Sequence, residues 1–126
     1  MPTRPRVLLV DDHPGIVQAL SRVLSRVCDV VGVIADGREV VDAAARLQPV
    51  VLVVDLNLPN VNGLQICRQM TQTDPRAKIV VISAMADDAI RDEALAAGAS
   101  GFLHKSAVDE LIVAITRIWT ESTWPG

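Results

Sequence analysis

The stretch Val50–Val51–Leu52–Val53–Val54–Asp55 decides the fold. Its five apolar residues, mostly β-branched, have the composition of a central strand buried on both faces of a parallel sheet. The run ends on a carboxylate and gives way to Leu56–Asn57–Leu58–Pro59–Asn60–Val61–Asn62–Gly63, a loop rich in turn-forming residues. A strand of this kind carries its terminal acid to the crevice where open α/β sheets bind ligands. Asp55 is either a reacting carboxylate in that crevice or a cap for the loop behind it; the stretch alone leaves both open.

The same pattern recurs on either side. Arg6–Val7–Leu8–Leu9–Val10 is a short apolar run that also ends on acids, Asp11 and Asp12, and His13–Pro14–Gly15 breaks it. Pro14 suits the first turn of a helix, and Ile16, Leu20, Val23, Leu24 and Val27 follow at helical spacing. Val30 to Ala35 has strand character; Asp36–Gly37 opens a helix through Val40, Ala43, Ala44 and Leu47 that Pro49 closes. Beyond the central strand, Leu64, Cys67 and Met70 predict a helix to about residue 73. Lys78–Ile79–Val80–Val81–Ile82–Ser83 is another buried-type strand, ending on a hydroxyl. Asp87–Asp88 caps a helix with Ile90, Ala94, Leu95 and Ala97 on it, and Gly98 stops it. Gly101–Phe102–Leu103–His104–Lys105 is the last strand, and Val108, Leu111, Ile112, Ile115 and Trp119 mark the closing helix.

Five β-α units in succession force parallel strands, right-handed crossovers and helices on both faces. The expected architecture is α/β: a flavodoxin-like, doubly wound (βα)5 three-layer sandwich whose five strands lie in the order 2-1-3-4-5. The 126 residues suit one domain with a core over about 6–120, and residues 1–5 and 121–126 as tails.

Bulk composition narrows the function classes. Half the chain is apolar, yet it has two Trp, one Phe and no Tyr, so the core is aliphatic. A net charge of −3 without a basic stripe argues against direct nucleic-acid binding. No apolar run approaches the ~20 residues of a membrane span. The short polar N-terminus is unlike a signal peptide, so a cytoplasmic location is expected. Cys28 and Cys67 fall in helical patterns without metal-type spacing and are expected to be packing residues.

In the expected sheet, the first, third, fourth and fifth strands bring Asp11/Asp12, Asp55, Ser83 and Lys105 to one edge. Two unit charges ~4 Å apart at an effective dielectric of ~20 repel by about 4 kcal/mol, and one lysine cannot cancel three acids. Either one acid keeps its proton or a cation sits there; a hard divalent such as Mg²⁺ (or Mn²⁺) fits better than zinc, and no Cys or His spacing offers a softer site. A carboxylate that attacks a phosphoryl group needs the same neutralisation. The cation covers one phosphoryl oxygen, the Lys105 ammonium a second, and the Ser83 hydroxyl with nearby backbone N–H groups a third.

Taken together, Asp11–Asp12, Asp55 with its loop, Ser83–Ala84, and Ala97–Gly98–Ala99–Ser100–Gly101–Phe102–Leu103–His104–Lys105 resemble the receiver domain of bacterial two-component response regulators. Asp12–His13–Pro14 and Lys105–Ser106–Ala107–Val108–Asp109–Glu110–Leu111 are most similar to the NarL/FixJ subfamily. The resemblance implies a phosphoacceptor switch rather than an enzyme. Asp55 would be phosphorylated by a sensor histidine kinase or a histidine phosphotransfer protein. Asp12, Asp55 and the backbone carbonyl of Asn57 would hold Mg²⁺, with Asp11 acting through water. Ser83 and Phe102 would be the switch residues that repack the face from Ile90 to Trp119, where an effector or a second copy would dock. Ser106 stands where many receivers have proline, and Phe102 where tyrosine is commoner, which leaves no phenolic hydroxyl for the switch. Regulators of this subtype usually continue into a helix-turn-helix domain, so DNA would be reached only through an effector that this chain lacks. A stand-alone receiver and a piece of a longer regulator both stay open.

Three alternatives are weighed against this. A haloacid-dehalogenase-like phosphatase wants a second acid two residues after the nucleophile, where Asn57 stands. A flavodoxin-like cofactor binder wants amides rather than Asp11–Asp12 after the first strand. A pseudo-receiver acting as an interaction or dimerisation module is compatible with the same residues.

Overall fold

The structure is a computed structural model that describes residues 4–85 and 87–123, with residues 122 and 123 as backbone alone. Five strands, β1 (Arg6–Val10), β2 (Asp29–Ile34), β3 (Val51–Asp55), β4 (Lys78–Ser83) and β5 (Gly101–His104), form one sheet. All pairs are parallel, in the order β2-β1-β3-β4-β5. The helices are α1 (Pro14–Leu24), α2 (Val40–Leu47, preceded by a 3₁₀ turn at Gly37–Glu39), α3 (Gly63–Thr73), α4 (Asp88–Ala96) and α5 (Val108–Thr123). This is the expected flavodoxin-like arrangement.

Strand alternation splits the interior into two layers. Leu52 and Val54 of β3 pack with Ile66, Cys67 and Met70 of α3 and with α2, while Val51 and Val53 pack with Leu20 and Leu24 of α1 and Leu111 and Ile115 of α5. Every residue of β3 is buried, so its side chains have no solvent face on which to place a charge cheaply. The acid at its tip is held there by the strand.

Two local readings change. The helical pattern through Val27 ends at Leu24 instead: the Arg26 and Val27 amides bond three residues back, to Val23 (3.3 Å) and Leu24 (3.0 Å), and the Asp29 amide then pairs with the Pro5 carbonyl (2.8 Å). Val27 is left exposed, and Cys28 is buried in a bend rather than on a helix. Asp36 opens a 3₁₀ turn before α2, its carboxylate accepting the Arg38 amide at 2.9 Å. The Lys105–Ser106 peptide is trans. Trp119 is half-buried; Trp124 lies outside the described residues.

The loop behind β3 is fixed by its own sequence. Asn62 and Gln65 form a reciprocal capping box at the start of α3. Gly63 lets this helix end approach the strand tip, because a Cβ there would lie 2.9 Å from the Asp55 carbonyl oxygen and from Leu56 Cα.

Candidate functional site

Sheet hydrogen bonding continues one residue past the strands at the C-terminal edge. The Asp11 amide donates to the Ile34 carbonyl (3.0 Å), Leu56 to Ile82 (2.9 Å) and Lys105 to Ser83 (2.9 Å). The residues expected at this edge are therefore placed by backbone, and alternation carries Asp11, Asp55 and Lys105 to the same α1/α5 side of it. Lys105 Nζ lies 3.1 Å from Asp55 Oδ2 and 3.5 Å from Asp11 Oδ2. Asp55 and Asp11 are buried, at 0% and 1% exposure, and Asp12 is partly exposed.

The hydrogen bonds these acids receive are few. Asp55 Oδ1 accepts the Asn57 amide (3.2 Å), and Asp11 Oδ1 accepts the His13 amide (2.9 Å). Asp11 Oδ2, Asp12 Oδ1 and Asp55 Oδ2 are buried atoms that accept no hydrogen bond and have ion-pair contacts alone. Burial raises the Asp55 carboxyl above its ordinary value, and nearby Asp11 adds to the rise; Lys105 and the Asn57 amide oppose it. Buried carboxylate oxygens without donors are expensive unless a cation meets them. The donor set, oxygen-rich and clustered within 4.8 Å, fits a divalent ion, as receiver Mg²⁺ sites do.

His13 was missed as a site residue. Its Nδ1 lies 2.9 Å from Asp11 Oδ1, 3.2 Å from Asp12 Oδ1 and 3.4 Å from Asp55 Oδ2. The ring nitrogen among these acids was not visible in the sequence: spacing does not reveal which way a ring at a strand end turns. Its position directly after the paired acids was the available signal. The hydrogen bond to Asp11 raises the His13 pKa, with Lys105 opposing and the acids reinforcing.

Ser83 is fully buried at the end of β4, and its Oγ accepts the Met85 amide at 3.0 Å. Phe102 is half-buried on β5 and borders a 280 Å³ groove with Asp87, Asp88, Arg91 and Glu110. His104, also missed, ties this region together. The Ser106 amide donates to its Nδ1 (3.1 Å), which leaves Nε2–H to donate to the Ala84 carbonyl (2.9 Å). Burial pushes the thiols of Cys28 and Cys67 up to about 11, so neither is a nucleophile at neutral pH.

Residues 7–117 match the family model described as the response regulator receiver domain. The chain is 32% identical over 117 residues to the response regulator GacA of Pseudomonas protegens, covering 90% of this chain and 55% of that protein. It is 36% identical over 101 residues to the chemotaxis protein CheY of Thermotoga maritima, covering 79% of this chain and 84% of CheY. The crystal structure of a LuxR-family two-component response regulator from Aurantimonas superposes with a TM-score of 0.88 at 33% identity. That superposition covers 94% of this chain and 86% of the other. The chain spans about half the length of GacA.

Proposed function

The chain belongs to the response regulator receiver domain family, and from that premise we propose that Asp55 takes the phosphoryl group, with Lys105 and Ser83 binding it. The domain is a phosphoacceptor of response-regulator signalling rather than an enzyme, and membership implies a cognate histidine kinase. Among the described residues no helix is long and apolar enough to cross a membrane.

The observation that carries the reading is Asp55 Oδ2: buried, bonded to no amide or hydroxyl, and 3.1 Å from the Lys105 ammonium. In the proposed step this oxygen attacks the phosphorus of a phosphohistidine. The new O–P bond forms as the P–N bond breaks, and the leaving imidazole keeps the electron pair and takes up a proton. Lys105 stays within reach of one transferred oxygen and balances its charge. The Asn57 and Ala84 amides are the backbone donors assigned to the phosphoryl group. Asp12, Asp55 and the Asn57 carbonyl would hold Mg²⁺ or Mn²⁺, with Asp11 bridged through water. The ion supplies Lewis-acid neutralisation of the phosphoryl oxygens when bound.

Ser83 Oγ is engaged with the Met85 amide, so it exchanges that bond to reach the phosphoryl group. That exchange shifts the β4–α4 loop and with it Phe102, which biases the α4–β5–α5 face between two states. A homodimer partner or an effector domain reads that face, with transcription as the output and the cytoplasm as the location. Residues 6–120 act as one domain in this reading.

The test is the intact mass of the chain after incubation with acetyl phosphate, with and without Mg²⁺, for wild type and Asp55→Asn. One phosphoryl group that requires Mg²⁺ and is absent from the variant is expected. A label that persists in Asp55→Asn, or forms equally without a divalent ion, overturns the proposal.

A further inference from the structure

We propose that His13 Nδ1 is a nitrogen ligand of the divalent-cation pocket, which biases the pocket toward first-row divalents that accept imidazole and away from Mg²⁺. The proposal rests on the cation-site reading above.

The nitrogen converges on the same oxygens as a cation would. Its distances to Asp11 Oδ1, Asp12 Oδ1 and Asp55 Oδ2 are 2.9, 3.2 and 3.4 Å. Adjacent ligands of an octahedral ion with bonds of about 2.1 Å stand about 3.0 Å apart, so this spacing is that of members of one coordination shell. The Asp11 contact is a hydrogen bond, and the ring nitrogen donates only one, so those to Asp12 and Asp55 are contacts of charge alone. Of those three oxygens, Asp12 Oδ1 and Asp55 Oδ2 accept no hydrogen bond, and the Asp55 side chain is fully buried. A cation held by Nδ1, Asp12 Oδ1 and Asp55 Oδ2, with Asp11 reached through water, satisfies both of those oxygens.

Capping does not explain the ring's position. His13 is the N-cap residue of α1, yet its side chain makes no capping hydrogen bond. What fixes the residue is its amide, bonded to Asp11 Oδ1, and Pro14 in the next position. The Lys105 ammonium lies 3.5 Å from Nδ1, and 3.1 Å from Asp55 Oδ2, so it flanks the pocket without filling it. Two carboxylates and one imidazole, with Asp11 reached through water, form a mixed N/O donor set. Mg²⁺ gains little from a nitrogen donor, whereas Co²⁺, Zn²⁺ and, more weakly, Mn²⁺ gain from it.

The experiment titrates the metal-free chain with Mg²⁺ alone and with Co²⁺ alone, for wild type, His13→Ala and Asp12→Asn. Pulsed electron paramagnetic resonance on the Mn²⁺-loaded chain supplies the ligand identity. His13→Ala is expected to weaken Co²⁺ by about tenfold or more while moving the Mg²⁺ Kd by less than about twofold. Wild type should show ¹⁴N coupling to Mn²⁺ and His13→Ala should lack it. An unchanged Co²⁺-to-Mg²⁺ ratio in His13→Ala, or no ¹⁴N coupling in wild type, overturns the proposal. The site reading fails separately: neither Mg²⁺ nor Co²⁺ then binds wild type, or both bind Asp12→Asn equally well. Either result also overturns the role of His13. Because His13 is half exposed and makes no cap, the alanine variant should melt close to wild type, which a thermal scan verifies.

Discussion

The two ends of the sheet differ in kind. At the N-terminal edge, Val41, Ala44, Gln48, Met70, Asp74 and Arg76 help line a groove of 600 Å³. Its charges are ordinary: Asp74 accepts the Arg76 amide at 3.2 Å and lies 3.7 Å from a guanidinium that is almost wholly in water. The acid cluster at the C-terminal edge lines none of the larger grooves, but it gathers three carboxylates, a lysine and a histidine, several of whose atoms are buried without hydrogen bonds. Volume therefore does not mark the site in this fold. Unrelieved electrostatic cost does, because selection for folding alone would remove it.

The largest expected contrast is kinetic. Lys105→Met should slow acetyl-phosphate labelling of the chain by about 100-fold or more, as loss of a preorganised charge at the transferred group does. Arg76→Met at the opposite edge should leave the rate unchanged, and equal slowing by both would erase the distinction between the ends.

Next comes the strand that separates them. Leu52 is fully buried between α2 and α3, so Leu52→Ala should cost about 2–5 kcal/mol in a urea titration. A smaller loss would mean that β3 is less rigid than its burial implies, and that Asp55 is held by its loop.

The electrostatic contrast is smaller and has a sign. Asp55 holds its proton more tightly when folded than unfolded, chiefly through burial, so its ionisation opposes folding as pH rises through the folded value. Without divalent ions, Asp55→Asn should therefore be more stable than wild type at neutral pH. The gain should fade as pH falls through the folded value toward the ordinary carboxylate range. Asp74→Asn, at a solvated ion pair, should stay within about 0.5 kcal/mol of wild type at neutral pH. Thermal melts across pH separate the two, and a destabilised Asp55→Asn would mean that the Lys105 pair outweighs burial.

The subtlest change concerns the loop that follows β4. His104→Ala removes the donor to the Ala84 carbonyl and should cost about 1 kcal/mol. Hydrogen exchange at Met85 should quicken while Mg²⁺ affinity holds. If exchange is unmoved, His104 does not restrain the segment next to Ser83.

Most of the architecture was legible because apolar runs of period two and 3.6 leave few choices. β3 was readable from five residues, and Asp55, Ser83 and Lys105 were readable because each ends or directly follows such a run. The end of α1 was not. Val27 continues the helical period, but the chain turns at Leu24 so that β2 can pair with β1, a demand that lies outside the helix itself. His13 and His104 were illegible for a related reason. Each sits at a strand end, where the ring's direction depends on what the neighbouring strands bring.

The sequence by itself determined the strand order and the edge on which the acids meet, since hydrophobic periodicity and the handedness of crossovers act locally and add up. Tertiary structure alone decided that a histidine nitrogen stands among three carboxylates, and that another histidine grips the loop after β4. Side-chain direction at a strand end is set by charges tens of residues away in the chain, and those come within a few ångströms only after the sheet has assembled.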